Sequence, residues 1–362
     1  MKKLILLAGT LAAIATTSFA QPCATSALTS SSSNAFTNIR NATNAIAVDN
    51  DLNTIVYIHR NNAGVFGGHS GQLRYDISTD DGSTWSTNLG VLNPLSVNGT
   101  NGARYPQIAI HNPAGNTVPN NAYLSYQAAT VAATFNGIVS GVRKLDGTGN
   151  TETYNQPAAT QTLIPNSMVE GAPGIFWSID EVYNGSSVTG FRVFKGVWNG
   201  STDVVWSTNA TLTPPFNLAF NGLPQVGDYH IAFDPTGQMG WISILTHLTG
   251  GPSPYSFYPV FYRTTDGGNT WSAPMQVDLG QFNCITSNIT VGNFASAAFE
   301  SDLTVDVNGE PHLLTTVCNG NNAYAIFFTS WHHMFDITYH FGLWNAIDVA
   351  NVNAGRGTWG TA

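Results

Sequence analysis

The sequence predicts an all-β protein built from a repeated unit. Only 9% of its residues are charged, whereas aromatic residues reach 11% and there are 36 glycines. Because the exposed faces of helices are rich in charged residues, this composition favours short strands joined by tight turns. A long internal repeat and an eight-residue motif that occurs twice indicate the same fold class.

Each unit of the internal repeat opens with an apolar segment, followed by a polar turn and a second apolar run. The units start at Ile46, Ile108, Ile175 (the weakest copy), Ile231 and Leu303, and the opening of a sixth lies at Asn345–Val349. A spacing of about sixty residues leaves room for four strands per unit, the size of one blade of a β-propeller. We therefore predict, over residues 37–362, a propeller of about six four-stranded blades whose last blade is incomplete.

The eight-residue motif occurs in the first and fourth units, as Ser78–Trp85 and Thr264–Trp271. In such a turn the aspartate accepts hydrogen bonds from the turn's own backbone, a glycine supplies a positive φ, and the tryptophan packs beneath the turn. Both copies lie at nearly the same distance past the start of their unit. The residues to which we assign this structural role are Ser78, Asp80, Gly82, Thr84, Trp85, Asp266, Gly268, Thr270 and Trp271.

These motifs resemble the Asp-boxes, or BNR repeats, of the sialidase-like β-propeller family, with Thr264 where the family has serine. The resemblance implies that the motifs lie on the outer rim of the propeller, between the third and fourth strands of a blade. In that family this is the face away from the active site. Asp80 and Asp266 are therefore expected to be structural rather than catalytic.

The residues just before each unit are the candidates for a functional site, because the first strand of a blade lines the central channel of a propeller. Almost every unit has an ionisable residue there, in a chain with few charges. These candidates are Arg40, Arg104 with Tyr105, Glu170, Asp228 with Tyr229 and His230, and Glu300 with Asp302.

The resemblance to sialidases implies a role for several of these candidates. Sialidases hold a sugar carboxylate with arginines and attack with a tyrosine that a glutamate activates, while an aspartate is the acid/base catalyst. In this sequence Arg40 and Arg104 would bind the substrate, and Glu300 belongs to the same binding set. Tyr229 would be the nucleophile, Glu170 its activating base and Asp228 the acid/base catalyst.

We predict a propeller that binds a glycan or glycoprotein at the central channel, with hydrolysis of glycosidic bonds left open. The alternative is a non-catalytic adhesion or protein-binding module, since fold alone does not decide function. The enzyme alternative predicts that several candidate side chains converge in one pocket. A binding protein without catalysis predicts a channel mouth rich in exposed Trp and Tyr, with unpaired amide side chains. An adhesive module requires neither, and its channel charges neutralise one another.

The charge and hydropathy of the chain limit which molecules it could bind. The net charge is -9 and the 12 Lys and Arg residues are spread along the chain, which argues against nucleic acid. After the N-terminal segment, no run of about 18 apolar residues could form a membrane helix. We predict no cofactor: Asp49 with Asp51, and Asp80 with Asp81, could hold calcium, but loop acids of this kind are more often turn formers.

The first twenty residues have the features of an export signal. Lys2 and Lys3 precede an apolar stretch, and small residues end at Ala20. We assign residues 1–20 to a signal peptide and 21–36 to a Ser-rich linker, so we expect the protein to be secreted or at the cell surface. In that oxidising compartment we expect a disulfide between Cys284 and Cys318, with three isolated thiols as the alternative.

Expression of the full chain in a secreting host should yield a mature protein that begins at Gln21, because Ala20 completes a small-residue cleavage site. N-terminal sequencing of the secreted product measures this. Replacing the small residue in Ala20→Arg should leave the precursor uncleaved. A secreted protein that keeps Met1 would contradict the assignment.

Overall fold

The computed structural model describes residues 31–32, 43–94, 102–131, 134–155, 163–252 and 255–349. The predicted signal peptide, Cys23 and Arg40 lie outside the described residues, as does the predicted linker apart from residues 31–32. No helix within the described ranges is long and apolar enough to cross a membrane.

The described residues form five antiparallel sheets of four strands each. The first two sheets contain β1 (Ile46–Asp49), β2 (Thr54–Arg60), β3 (Leu73–Ser78) and β4 (Ser86–Leu89), then β5 (Gly102–His111), β6 (Tyr123–Val131), β7 (Phe135–Lys144) and β8 (Thr153–Asn155). The third contains β9 (Asn166–Ala172), β10 (Ile175–Asn184), β11 (Ser187–Trp198) and β12 (Val204–Leu212). The last two contain β13 (Val226–Phe233), β14 (Gly240–Thr246), β15 (Tyr258–Thr264) and β16 (Met275–Gln276), then β17 (Phe294–Val305), β18 (Pro311–Gly320), β19 (Ile326–His340) and β20 (Leu343–Asp348).

Helical structure is limited to short pieces between strands. They are α1 (Ala63–Phe66), α2 (Asn283–Thr286) and the 3₁₀ turns Pro119–Asn121 and Leu279–Gln281. The absence of long helices among the described residues agrees with the low charge content of the sequence.

The five sheets follow one another as the blades of a β-propeller. Within every sheet the strands pair in sequence order, and the first strands contact one another in the order β1, β5, β9, β13 and β17. Four buried apolar clusters, rich in Leu, Ile, Val and aromatic side chains, lie between consecutive sheets. The predicted all-β propeller is therefore confirmed.

Two unit boundaries differ from the prediction. Asn345–Val349 does not open a sixth unit: it lies in and just after β20, the fourth strand of a complete fifth sheet. Ile175 lies in a second strand, because the third sheet begins with β9 at Asn166. An apolar–polar alternation does not distinguish an inner strand from an outer one, and β9 carries Glu170 and Gly171, which weaken its apolar pattern.

The two octapeptide turns connect the third and fourth strands of their sheets, β3 to β4 and β15 to β16. Asp80 accepts hydrogen bonds from the Thr84 amide (2.8 Å) and hydroxyl (2.7 Å). Gly82 has a φ of 83°, and the Trp85 indole donates to its carbonyl oxygen at 3.1 Å. Asp80 is thus engaged in closing its own turn.

The second turn is built in the same way. Asp266 accepts from the Thr270 amide (2.9 Å) and hydroxyl (2.6 Å), and Gly268 has a φ of 78°. Hydrogen bonds from Thr270 and Thr264 lower the pKa of Asp266 to about 2. The Trp271 ring packs edge-on against Trp177 of the neighbouring third sheet.

Buried polar side chains on the inner strands join consecutive sheets. Gln107 donates to the Pro165 carbonyl oxygen (2.6 Å) and accepts from the Met168 amide (2.8 Å), which links the second and third sheets. The Ser167 hydroxyl donates to the Ile231 carbonyl oxygen (3.2 Å) and accepts from the Ile231 amide (3.0 Å), which links the third and fourth. These side chains hold one inner strand in register with the next.

Cys284 and Cys318 are separate thiols, so the predicted disulfide is wrong. Cys284 is exposed on α2 and its sulfur faces the Ala346 carbonyl oxygen, whereas Cys318 is buried in β18 against the Ser296 carbonyl oxygen. Burial raises the pKa of the Cys318 thiol to about 12. The count of cysteines in the chain carried no information on their separation in space.

Replacing Ser167 with alanine should lower the free energy of unfolding by about 1–3 kcal/mol, because the Ile231 amide and carbonyl would lose their buried partner. Urea unfolding of the purified protein measures the change. Ser83→Ala removes an exposed hydroxyl of the first octapeptide turn and is the control. Equal stability of both variants would contradict the proposed role of Ser167 in joining the sheets.

Candidate functional site

A cavity of about 540 Å³ opens between the inner strands of the first three sheets. Its size is typical of small-ligand sites, which span roughly 300–1,000 Å³. The residues that line it are Asn44, Ile46 to Asp51, Ile108 to Ile110 and Met168 to Glu170. They belong to the segments that contain β1, β5 and β9, so the cavity lies at the centre of the propeller.

Strand edges give this cavity much of its polar character. Each of β1, β5 and β9 is the first strand of its sheet and pairs on one side only, with the second strand. The other backbone edge faces the cavity, where peptide N–H and C=O groups alternate. Part of this edge is used by Asn44, whose carbonyl oxygen accepts from the Ile108 amide (2.8 Å) and whose side chain donates to the Met168 carbonyl oxygen (2.9 Å).

Among the predicted site residues that the structure describes, Glu170 borders the cavity. Its Oε1 accepts hydrogen bonds from His111 Nδ1 (2.7 Å) and from the Gly174 amide (2.6 Å). The His111 ring is fixed in turn by Trp198, with ring centroids 4.8 Å apart. These contacts orient the Glu170 carboxylate at the cavity wall.

His111 stands where the other clear repeat units carry an aspartate. Asp49, Asp234 and Asp306 each accept hydrogen bonds from the backbone of the turn that follows the first strand. The second unit replaces this turn-closing aspartate with His111, which reaches across to Glu170 in the third sheet. This departure from the repeat was visible in the sequence and could have identified the site.

Tyr229 is not placed to act as a nucleophile activated by Glu170. Its ring is 3% exposed and packs against Phe191, and Asn166 Nδ2 donates to its hydroxyl oxygen at 2.5 Å. Asn166 precedes Glu170 by four residues along β9, which is about 13 Å in a strand. The predicted Tyr–Glu pair is therefore wrong, because Tyr229 faces the interior between the third and fourth sheets.

Asp228 is buried at the interface between the fourth and fifth sheets. Its Oδ2 accepts from His230 Nε2, from the Ser301 amide and from the Ser301 hydroxyl, each at 3.0 Å. Glu300 is exposed and precedes Ser301, where the pairing register of β17 with β18 shifts. The carboxylate of Asp228 is thus occupied in joining two sheets and does not line the cavity, which contradicts its predicted catalytic role.

Arg104 lies at the start of β5, beside a second arginine. Its Nη1 donates to the Ala103 carbonyl oxygen at 2.8 Å. Burial and the nearby Arg104 charge lower the pKa of Arg60, at the end of β2, to about 10. Neither arginine lines the cavity, so among the described residues Arg104, Asp228 and Glu300 do not join Glu170 at its wall, as the enzyme alternative requires.

The predicted platform of exposed aromatic side chains is also missing from the described part of the chain. Every Trp and Tyr there is buried or half-buried. Instead, the exposed apolar surface at the cavity comes from Ile46 and Val48, which are 60% and 59% exposed. Sequence reasoning identified these residues as a strand and missed their place at the cavity, because a period-two pattern does not reveal which face is covered.

No protein-family model and no curated protein matches the chain. Among solved structures, the xylan β-1,4-xylosidase of Bacillus halodurans C-125 is similar, at 13% identity and a TM-score of 0.38, over 83% of this chain and 54% of that one. An α-L-arabinanase mutant from Cellvibrio cellulosa is similar at 11% identity and a TM-score of 0.39, over 84% and 95% of the two chains. The Bacteroides ovatus protein called xyloglucan PUL GH43B is similar at 14% identity and a TM-score of 0.38, over 86% and 55%.

This chain therefore spans about half the length of the xylosidase. Because these TM-scores lie below 0.5, the similarities do not bear on the ligand or the reaction of this chain.

The variant Tyr229→Phe should lower the free energy of unfolding by about 1 kcal/mol, because the buried Asn166 amide loses its acceptor. Urea unfolding of Tyr229→Phe, Asn166→Ala and the double variant measures the coupling of the pair. A hydrolytic activity that disappears in Tyr229→Phe, with stability unchanged, would restore Tyr229 as a nucleophile.

Proposed function

We propose that this chain is a secreted carbohydrate-binding β-propeller whose ligand lies in the central cavity. The observation that carries the proposal is the cavity itself, a space of about 540 Å³ bordered by three strand edges and by the oxygen-bearing side chains of Asn44, Asp49 and Glu170. The export signal at residues 1–20 supports secretion.

A saccharide fits the chemistry of these walls. Sugar hydroxyl groups both donate and accept, and the cavity offers carboxylate and amide acceptors together with alternating peptide groups on the strand edges. Exposed Ile46 and Val48 supply apolar surface for the C–H face of a sugar ring. Because Asp49, Asp51 and Glu170 make the walls acidic, a neutral sugar fits better than a carboxylated one.

The contacts of the candidate catalytic residues favour binding without hydrolysis. A glycosidase needs two carboxyl groups facing each other across one sugar, or a nucleophile paired with its base. Asp228 is engaged by His230 and Ser301, and Tyr229 is buried against Asn166. Of the three predicted catalytic residues, Glu170 borders the cavity, and its Oε1 is held by His111 and Gly174.

A glycan array followed by calorimetry on the mature protein tests the proposal. We expect binding of a neutral oligosaccharide, weakened about fivefold or more in Glu170→Gln, because one charge-assisted hydrogen bond to a sugar hydroxyl is replaced by a neutral one. Asp51→Asn, an exposed position in the cavity wall, should also weaken binding and is less apt to disturb folding.

The matched control is Glu310→Gln. Glu310 is also paired with a histidine, His340, but it does not line the cavity. Binding that falls equally in Glu310→Gln and Glu170→Gln, or no binding by the unmodified protein to any glycan, would overturn the proposal. Release of sugar that is abolished in Glu170→Gln would instead show an enzyme.

A further inference from the structure

A second cavity, of about 290 Å³, lies beside the connection between β16 and β17. Residues of this connection form most of its wall, together with the first residues of β15 and β17. The lining residues that matter for its chemistry are Tyr258, Asp278, Thr286, Ile289, Val291 and Phe294. None of them lines the central cavity, so the two spaces are separate.

The connection between β16 and β17 is anchored at both of its ends. Near its start, the apolar side chains of Leu279 and Ile285 are fully buried in the core. Near its end, the side-chain carbonyl oxygen of Asn319 in β18 accepts from the Thr290 amide at 2.8 Å. Gly292, with a φ of 87°, then turns the chain into β17. The cavity wall is therefore built on fixed points of the fold, as is usual for ligand sites.

Asp278 gives this cavity a negative charge. Its Oδ1 accepts from the Gly280 amide at 2.8 Å, and within the described ranges no other hydrogen bond or ion pair engages its carboxylate. The sequence has no Lys or Arg between Arg263 and Arg356, so the segment that carries Asp278 brings no permanent positive charge. Oδ2 is thus left as an acceptor for a ligand.

Thr286 adds a second acceptor to the wall. Its hydroxyl donates to the Phe282 carbonyl oxygen at 3.3 Å, so the lone pairs of the hydroxyl oxygen are what it offers to other groups. Burial and the nearby charge of Asp278 raise the pKa of Tyr258, so the phenol is neutral and the carboxylate sets the charge of the site. These groups favour a ligand that is positively charged and donates hydrogen bonds.

Apolar side chains border the same cavity. Val291 is fully exposed, Phe294 is 39% exposed and Ile289 is half-buried. The face of an aromatic ring attracts an ammonium group as well as hydrocarbon. The cavity therefore combines one carboxylate with apolar surface, which suits a cation that bears a short hydrocarbon chain.

We infer that this second cavity binds a small organic cation, a primary ammonium group on a short aliphatic chain. Asp278 accepts a charge-assisted hydrogen bond from the ammonium group, Thr286 accepts another, and Ile289 and Phe294 contact the chain. Free amines, amino sugars and lysine side chains all carry such a group, and a volume of about 290 Å³ limits the ligand to a small one. The inference does not depend on glycan binding in the central cavity, because the two cavities share no lining residue.

A ligand-observed NMR titration of the purified protein with n-butylammonium chloride, at constant ionic strength, tests the inference. We expect saturable binding with a Kd of about 1 mM, within the ceiling that five non-hydrogen atoms allow. Binding should weaken about tenfold in Asp278→Asn, because the charge is lost while an oxygen remains for the Gly280 amide and keeps the turn.

Asp306→Asn is the matched control. Asp306 likewise accepts from a backbone amide two residues further on, that of Asn308 at 2.9 Å. It follows the end of β17, whereas the cavity lies at the start of that strand, roughly 35 Å away along the chain. Binding in Asp306→Asn should stay within about twofold of the unmodified protein, because screening removes the effect of a charge at that distance.

A second pair of variants adds a positive charge instead of removing a negative one. Val291→Lys places an ammonium group at the cavity and should abolish binding of n-butylammonium, by pairing with Asp278 or by repelling the ligand. Val291 is fully exposed, so this change is not expected to disturb folding. Val307→Lys adds the same charge at a 79% exposed position beyond the other end of β17 and should leave binding within about twofold.

Comparison ligands complete the test. Displacement of n-butylammonium by glucosamine would support an amino sugar as the natural ligand, and displacement by a lysine amide would support a side chain of another protein. Equal binding of n-butanol and n-butylammonium would reduce the site to an apolar pocket and overturn the inference. Equal losses in Asp278→Asn and Asp306→Asn, or no saturable binding of n-butylammonium, would overturn it as well.

Discussion

The contact between inner strands of neighbouring sheets is the constraint on which the rest of the structure depends. Apolar clusters bring consecutive sheets face to face, but dispersion and burial have little directional preference. The relative position of the sheets is fixed by buried polar side chains such as Gln107 and Ser167, because each forms hydrogen bonds with groups of the next sheet. These bonds set how far one strand is shifted along the next, and so which strand edges surround the cavity.

The same requirement explains why residues that looked catalytic are not presented to a ligand. A buried carboxylate or hydroxyl without a partner is costly, so Asp228 and Tyr229 are held by Ser301 and Asn166 of adjacent sheets. Glu170 differs because it stands at the cavity wall, with one carboxylate oxygen fixed by His111. Position just before a predicted unit start therefore marks interface residues such as Asp228 as well as the cavity residue Glu170.

The central cavity combines polar and apolar surface. Asp49, Asp51 and Glu170 place carboxylates on its wall, and the cavity-facing edges of β1, β5 and β9 add peptide N–H and C=O groups. Ile46 and Val48 add apolar surface that neither the carboxylates nor the peptide groups provide.

By itself, the sequence determined the fold class, the position of four first strands, each of which contains a predicted unit start, and the chemistry of the two octapeptide turns. These features depend on short-range patterns: Asp80 finds its partner four residues away in Thr84, and strand alternation has a period of two. The tertiary structure alone decided that Ile175 lies in a second strand, that Cys284 and Cys318 remain apart, and that Glu170 meets His111 instead of Tyr229. Those contacts join residues on different sheets, such as His111 and Glu170 at 59 positions apart, and their geometry is set by how the sheets pack.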